Sequence, residues 1–273
     1  MIYHYTDLHA AKSIAEKEQV WLTDYRYLND EQEFIDGYSV LLDTFIDYDD
    51  YSDEHSEEFR QFIKSILESI DDSDFPGERE NHIFVASFSK TPDLLSQWRS
   101  YGMYCLGFEY EQFQNGDVRV LDCHYMHDLG DAMEYAKEII EENIIPELLK
   151  EWGNGKSHII KKTVVSLLEI FSLSFKHKAF SDEDEIRFVV SCEPENEKID
   201  YRVKGNILIP YYPLDFDSVI LKSIQIGPIQ NQQLAIDSMN MFARKISRKV
   251  QIEGVVPDYE LVVDNSDIPY RSF

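Results

Sequence analysis

Glu183 and Glu185, one residue apart and followed by Arg187, are the side chains of this sequence best placed to do chemistry, because the run 180–190 carries an acidic pair straight into an apolar segment. A strand that begins at Glu183 sets Glu183, Glu185 and Arg187 on one face and Ile186, Phe188 and Val190 on the other, since side chains alternate along a strand. A carboxylate at the mouth of a sheet can hold a substrate hydroxyl or stabilise positive charge that develops in a transition state. Taken alone, the triplet reads more readily as a solvated ladder in which Arg187 neutralises both glutamates. His4 is the second such residue. It lies in a short alternating run with Tyr3 and Tyr5 on the opposite side, and Thr6 follows at a helix start, where backbone donors can meet an anion or a ribose. A lone strand histidine is more often a packed core residue, so His4 too needs support from elsewhere.

Other reactive patterns are weaker. Cys123-His124-Tyr125-Met126-His127 offers soft ligands to zinc but lacks a second pair at the usual spacing. Neither a phosphate-binding P-loop nor a dinucleotide glycine fingerprint occurs.

The elements that must position these residues are read from periodicity. Residues 2–5 and 20–23 predict strands around a helix at 7–18, and a polar, aromatic loop at 24–30 leads to a helix at 31–45 capped by Asn29 or Asp30. The acidic run 47–58 predicts a self-repelling connection, followed by a helix at 57–70 and an acidic turn at 71–77. Residues 82–89 predict a strand, 92–102 a short helix ended by glycine, and 104–110 and 118–125 further strands. Two long helices are expected at about 128–151 and 157–175. More strands follow at 199–203, 207–209 and 220–226, then a helix at 231–248 and a last strand at 261–263. With no repeat and no linker, this is one α+β domain over 1–273, with an acidic helical insertion at about 31–80 and a helical pair at about 128–175.

Composition bounds the function. A formal charge of −26, from 52 acidic against 26 basic residues, repels bulk nucleic acid and anionic membranes, while a small phosphate-bearing ligand in one pocket remains compatible. Three widely spaced cysteines do not form a disulfide framework, the first residues lack the features of a signal peptide, and no apolar stretch is long enough to span a membrane. A cytoplasmic protein is expected.

Tyr3-His4-Tyr5-Thr6-Asp7-Leu8, Val20-Trp21-Leu22-Thr23-Asp24-Tyr25-Arg26-Tyr27-Leu28-Asn29-Asp30, Phe84-Val85-Ala86-Ser87-Phe88-Ser89, Trp98-Arg99-Ser100-Tyr101-Gly102, Phe180-Ser181-Asp182-Glu183-Asp184-Glu185-Ile186-Arg187 and Ile226-Gly227-Pro228 occur in this order across most of the chain. In that order they resemble the bacterial family known as domain of unknown function 2971, which is similar to the ADP-ribosyltransferase-like fold, a split mixed sheet with an NAD cleft. The resemblance implies that His4 and Thr6 contact the ribose of NAD. It implies that one of Tyr25, Tyr27, Trp98 and Tyr101 stacks on nicotinamide. Ser87-Phe88-Ser89 corresponds to the serine-bearing strand, with Phe88 where that pattern has Thr. Glu185 takes the place of the catalytic glutamate and Glu183 that of the residue orienting the acceptor.

The implied function is consumption of NAD as substrate, with ADP-ribose passed to an acceptor or to water, as in a bacterial toxin or phage-defence effector that a regulatory or antitoxin protein would control. A carboxylate that holds a ribose hydroxyl beside a cation-like sugar binds the transition state more strongly than the substrate. Arg187 would position the pair or contact a phosphate, and Arg99 is another candidate to fork onto a phosphate. On this view Glu185→Gln abolishes nicotinamide release with thermal stability nearly unchanged. The alternative is a non-catalytic module that senses a nucleotide or NAD-derived ligand in the same cleft. Metal-dependent hydrolysis of nucleic acid ranks last, because the net charge opposes its substrate.

Overall fold

Branched and aromatic residues in alternation, broken by helices, fold the chain into a mixed sheet between two helical layers. The computed structural model describes residues 1–28, 31–49, 56–70, 81–113, 118–253 and 256–269. In chain order the elements are β1 (Ile2–Thr6), α1 (Leu8–Lys17), β2 (Gln19–Asp24), α2 (Glu31–Ile46), α3 (Glu57–Leu67), β3 (His82–Ser89), α4 (Leu95–Tyr101), β4 (Tyr104–Phe108), β5 (Arg119–Asp122) and β6 (His124–Met126). They continue as α5 (Leu129–Ile139), α6 (Ile145–Gly153), α7 (Ile160–Ser172), β7 (Phe175–His177), β8 (Glu185–Cys192), β9 (Asp200–Lys204), β10 (Ile207–Asp215), β11 (Leu221–Ile226), α8 (Gln232–Ile252) and β12 (Val262–Asn265). Asp7 caps α1 by accepting from the Ala10 amide at 2.8 Å, as its place before the helix requires.

The main sheet runs β12-β11-β4-β1-β3-β2-β10-β9, with β8 on β3 and β5 on β8. Its β11–β12 pair is parallel and its other pairs are antiparallel. β3 is the hinge of this arrangement. Its whole length, His82 to Ser89, pairs with β8 along one edge. Its other edge is shared: Ser89 faces Tyr3 of β1, while Val85 and Phe84 face Thr23 and Asp24 of β2. β1 and β2 cannot both lie against the residues between, so they diverge and the sheet opens between them.

Each face of the sheet buries its own core. Phe84, Phe88, Leu106, Phe108, Ile186 and Phe188 pack with Ala11 and Ile14 of α1 and with Met239, Ala243 and Ile246 of α8. Ile83, Val85, Leu121 and Val189, on the other face, pack with residues of α2, α3, α5, α6 and α7. Among the described residues no helix is long and apolar enough to cross a membrane.

Several boundaries differ from the expected ones for local reasons. The strand expected from Glu183 begins at Glu185, because Asp184 adopts a left-handed backbone (φ 43°) that ends the turn 178–183. The helix expected over 157–175 stops at Ser172, so that Phe175–His177 can pair with β6. The run 128–151 contains one π-helical turn, Ile140–Ile144, directly before Pro146, whose missing N–H breaks the regular ladder. The strand at 207–209 continues to Asp215 through Pro210 and Pro213. The expected caps Asn29 and Asp30, the turn 71–77 and residues 50–55 of the acidic run lie outside the described residues.

Candidate functional site

The acidic pair is assembled by three elements. The turn 178–183 delivers Glu183, the first residue of β8 is Glu185, and β7 supplies Lys176, a residue whose role its sequence context does not reveal. The Lys176 ammonium donates to Oε2 of both glutamates. Arg187 Nε donates to Glu185 Oε1 at 2.8 Å, its Nη2 lies 3.4 Å from Oε2, and its Nη1 donates to the Leu173 carbonyl at 2.8 Å. Glu33 of α2 sits 3.9 Å from the same guanidinium. Lys176, Glu183, Glu185 and Arg187 are all buried, at 2, 7, 6 and 5% exposure, so this is an ionic core and not the solvated ladder that the triplet alone predicts.

The charges set one another's ionisation. Burial alone would push the Glu185 carboxyl up, but Arg187 and Lys176 outweigh it and hold the group at about 2. Burial opposes the charge on Lys176, yet Glu185 and Glu183 keep its pKa above the ordinary value. A carboxylate this strongly ionised is a poor proton acceptor, and both of its oxygens already accept from cations. Glu185 is a fixed negative charge.

The register separates this cluster from His4. Tyr3, Ser89 and Glu185 form one row across β1, β3 and β8, and Phe88 and Ile186 form part of the next. Directly opposed residues share a face. Glu185 therefore points to the helical layer with Glu33, while the His4 ring packs against Phe88, 5.3 Å between centroids, on the other side. The single NAD cleft that the resemblance implies for His4 and Glu185 is replaced by two separate environments.

His4 belongs to the opening between β1 and β2. This cleft of about 390 Å³ is lined by His4 and Thr6 of β1, the cap residue Asp7, residues of α1, Gln19 and Trp21 of β2, and Arg202 of β9. His4 Nδ1 donates to the Ser87 carbonyl at 3.0 Å, a backbone acceptor left free where β1 and β2 diverge. Because a carbonyl only accepts, this bond fixes the proton on Nδ1 and leaves Nε2 as an acceptor. Burial lowers the His4 pKa, with the Ser87 bond opposing, so the ring is neutral at pH 7. Arg202 Nη2 donates to Thr23 Oγ1 at 2.9 Å, and its Nε is buried without a hydrogen-bond partner. Among the described residues no carboxylate forms an ion pair with it. Trp21 stacks on Tyr211 at 4.2 Å, and Lys17 Nζ lies 5.5 Å from the Trp21 ring centre.

The remaining expected residues are dispersed. Tyr25 is buried against Phe34, and Tyr27 is exposed. Ser87 contributes its carbonyl to His4 and sits opposite Arg187. Trp98 is 1% exposed, donates to Asp93 at 2.8 Å and meets Tyr5 edge-on, which makes it a packing residue and not a stacking platform. Arg99 and Tyr101 lie exposed on α4, and neither they nor Trp98 line the cleft. The cleft is lined instead by the Trp21 ring and the Arg202 guanidinium. Trp21 was accessible to sequence reasoning, since Val20 and Leu22 on either side are core-facing; Arg202 reaches the cleft only through the pairing of β9 with β10 and of β10 with β2.

Among the described residues no group of His, Cys, Asp or Glu is arranged to hold a metal ion. His124 and the His127 amide instead converge on Asp131. No family model, curated protein or solved structure matches the chain.

Proposed function

We propose that this chain binds an NAD-type nucleotide in the cleft between β1 and β2. The observation that carries the reading is Arg202, a cation without a carboxylate partner in a chain of net charge −26, on the same cleft as His4, Thr6 and Trp21. Its guanidinium fork suits two diphosphate oxygens. His4 Nε2 accepts from a ribose hydroxyl, Thr6 offers a second hydroxyl, and Trp21, backed by Tyr211, presents an aromatic face to a base. Lys17 beside Trp21 adds positive potential at the mouth.

A second reading, consumption of the bound NAD, rests on one observation: Glu185 is an oriented carboxylate, ionised down to about pH 2 and held with Glu183 on one lysine. That is the kind of charge that stabilises a ribosyl cation. It requires the substrate to reach the helical face and to displace a cation from Glu185, which is why binding is the first reading.

Calorimetry with NAD and with ADP-ribose, on wild type and Arg202→Gln, tests the proposal, with nicotinamide release measured on the same samples. Saturable binding that falls at least about tenfold in the variant, about 1.4 kcal/mol, supports the cleft. Release by wild type and not by a folded Glu185→Gln protein moves the assignment to the enzyme. Absence of binding to either compound at about 1 mM refutes both readings.

A further inference from the structure

A second cleft lies between α7 and the outer end of the sheet. It has a volume of about 680 Å³. Val189 and Ser191 of β8 project from one side, because Val189 opposes Arg119 and Ser191 opposes Ile83 on the face that α7 covers. From the helix come Ser166, Leu167 and Ile170, whose spacing places them on one side of α7. Thr163 of α7 and Asn81, just before β3, add further polar groups to the lining.

Its charged groups are already committed. Arg119 forms a two-pronged pair with Glu147, at 2.6 and 2.8 Å, and its guanidinium lies 5.8 Å from the Phe171 ring centre. Lys162 also has a partner of its own. Of the neutral polar groups, Thr163 donates to the Ile159 carbonyl at 3.1 Å, and the others are not committed. Ser191 Oγ is buried without a hydrogen-bond partner, and neither Ser166 nor Asn81 makes a side-chain hydrogen bond within the described residues. Buried polar groups are ordinarily satisfied, so an unpaired hydroxyl on a cleft wall marks a place where something else completes the bond.

Two uncommitted hydroxyls, Ser166 and Ser191, each able to donate and accept, and the Asn81 amide, which does both, line the cleft together with Leu167, Ile170 and Val189. That set fits a flat heterocycle whose edge alternates donors and acceptors and whose faces are apolar. It fits a phosphorylated ligand poorly, because Arg119 is neutralised by Glu147 and Lys162 has an interaction of its own. A lipid chain would leave the polar groups unpaired. We propose that this cleft binds the base of an uncharged nucleoside, at a site separate from the cleft of His4 and Arg202.

Calorimetric titration and thermal melting with adenosine, guanosine, cytidine, uridine and their 5′-monophosphates test this on wild type, Ser166→Ala, Ser191→Ala and Arg202→Gln. At least one nucleoside should bind saturably and no more weakly than its monophosphate. Each serine variant should weaken binding about fivefold or more, and the unliganded melting temperature of Ser191→Ala should stay equal to or above that of wild type, since a buried unpaired hydroxyl has been removed. Arg202→Gln should bind the nucleoside as wild type does, even if it loses the nucleotide of the first cleft. Absence of nucleoside binding, unchanged affinity in both serine variants, a clear preference for the monophosphate, or loss of nucleoside binding in Arg202→Gln would each overturn the assignment.

Discussion

Replacing Glu185 by Gln tests the ionic core directly. The substitution keeps the shape and removes the charge that faces Lys176 and Arg187 in a site where all three side chains are at most 6% exposed. Taking one partner from a buried ion pair costs about 3–5 kcal/mol, because the charge left behind stays desolvated. Here the lower end applies: Lys176 keeps Glu183, and Arg187 keeps the Leu173 carbonyl at 2.8 Å and Glu33 at 3.9 Å. The ionisation gives the same scale independently, since a drop from 4.5 to about 2 corresponds to about 3 kcal/mol. For a domain of this size that lowers the melting temperature by about 6–8 °C. The resemblance-based expectation of nearly unchanged stability is thereby reversed. Scanning calorimetry at pH 7 should also show that the double variant Lys176→Met with Glu185→Gln costs less than the two single changes summed, because without Glu185 the lysine has less to lose. A melting temperature within about 2 °C of wild type for Glu185→Gln, with additive singles, would refute the claim that these groups form a coupled buried network.

Three further outcomes follow from the same geometry. The folded pKa of Glu185 is depressed, so its stabilisation is complete above 4.5 and is lost as pH falls toward 2; denaturant titrations of wild type and Glu185→Gln should therefore converge across that window. The His4 pKa is lowered from 6.5, so binding in the first cleft should be flat above pH 6.5 and weaken below it as Nε2 gains a proton, and His4→Gln should flatten the acid limb of a calorimetric pH series. Gly102 has φ 131°, and a Cβ there would lie 2.4 Å from the Thr6 carbonyl oxygen; Gly102→Ala should cost about 1–3 kcal/mol in a denaturant melt and weaken nucleotide binding by shifting the end of β1.

Most strands were legible as short runs of branched and aromatic residues bounded by turn signals, and alternation assigned their faces. His4 could be placed on the first strand for that reason, and the acidic pair could be placed at the head of an apolar one. Burial across the fold is another matter. Lys176, between Phe175 and His177, has the look of any surface lysine, and only the approach of the turn 178–183 and β8 turns it into the counter-ion of both glutamates. Trp98 reads as an exposed ring before Arg99 and Tyr101, yet Tyr5 and Gly227 enclose it, with a Cβ at Gly227 falling 2.8 Å from the indole.

The relation of His4 to Glu185 depends on register, which no local pattern encodes. A slip of one residue between β1 and β3 would put His4 opposite Ser89 and bring it onto the Glu185 face. The observed register does the reverse, and for a reason visible at the split. β2 occupies the β3 edge at Val85 and Phe84, β1 is confined to Ser89, and the carbonyl of Ser87 falls in the gap where neither strand's backbone pairs with it. His4 fills that vacancy with its own Nδ1–H. The divergence that removes the histidine from the carboxylate thus also fixes its tautomer and opens the cleft it lines, so the chain's two most reactive-looking residues answer to one feature of the sheet and must be tested as separate sites.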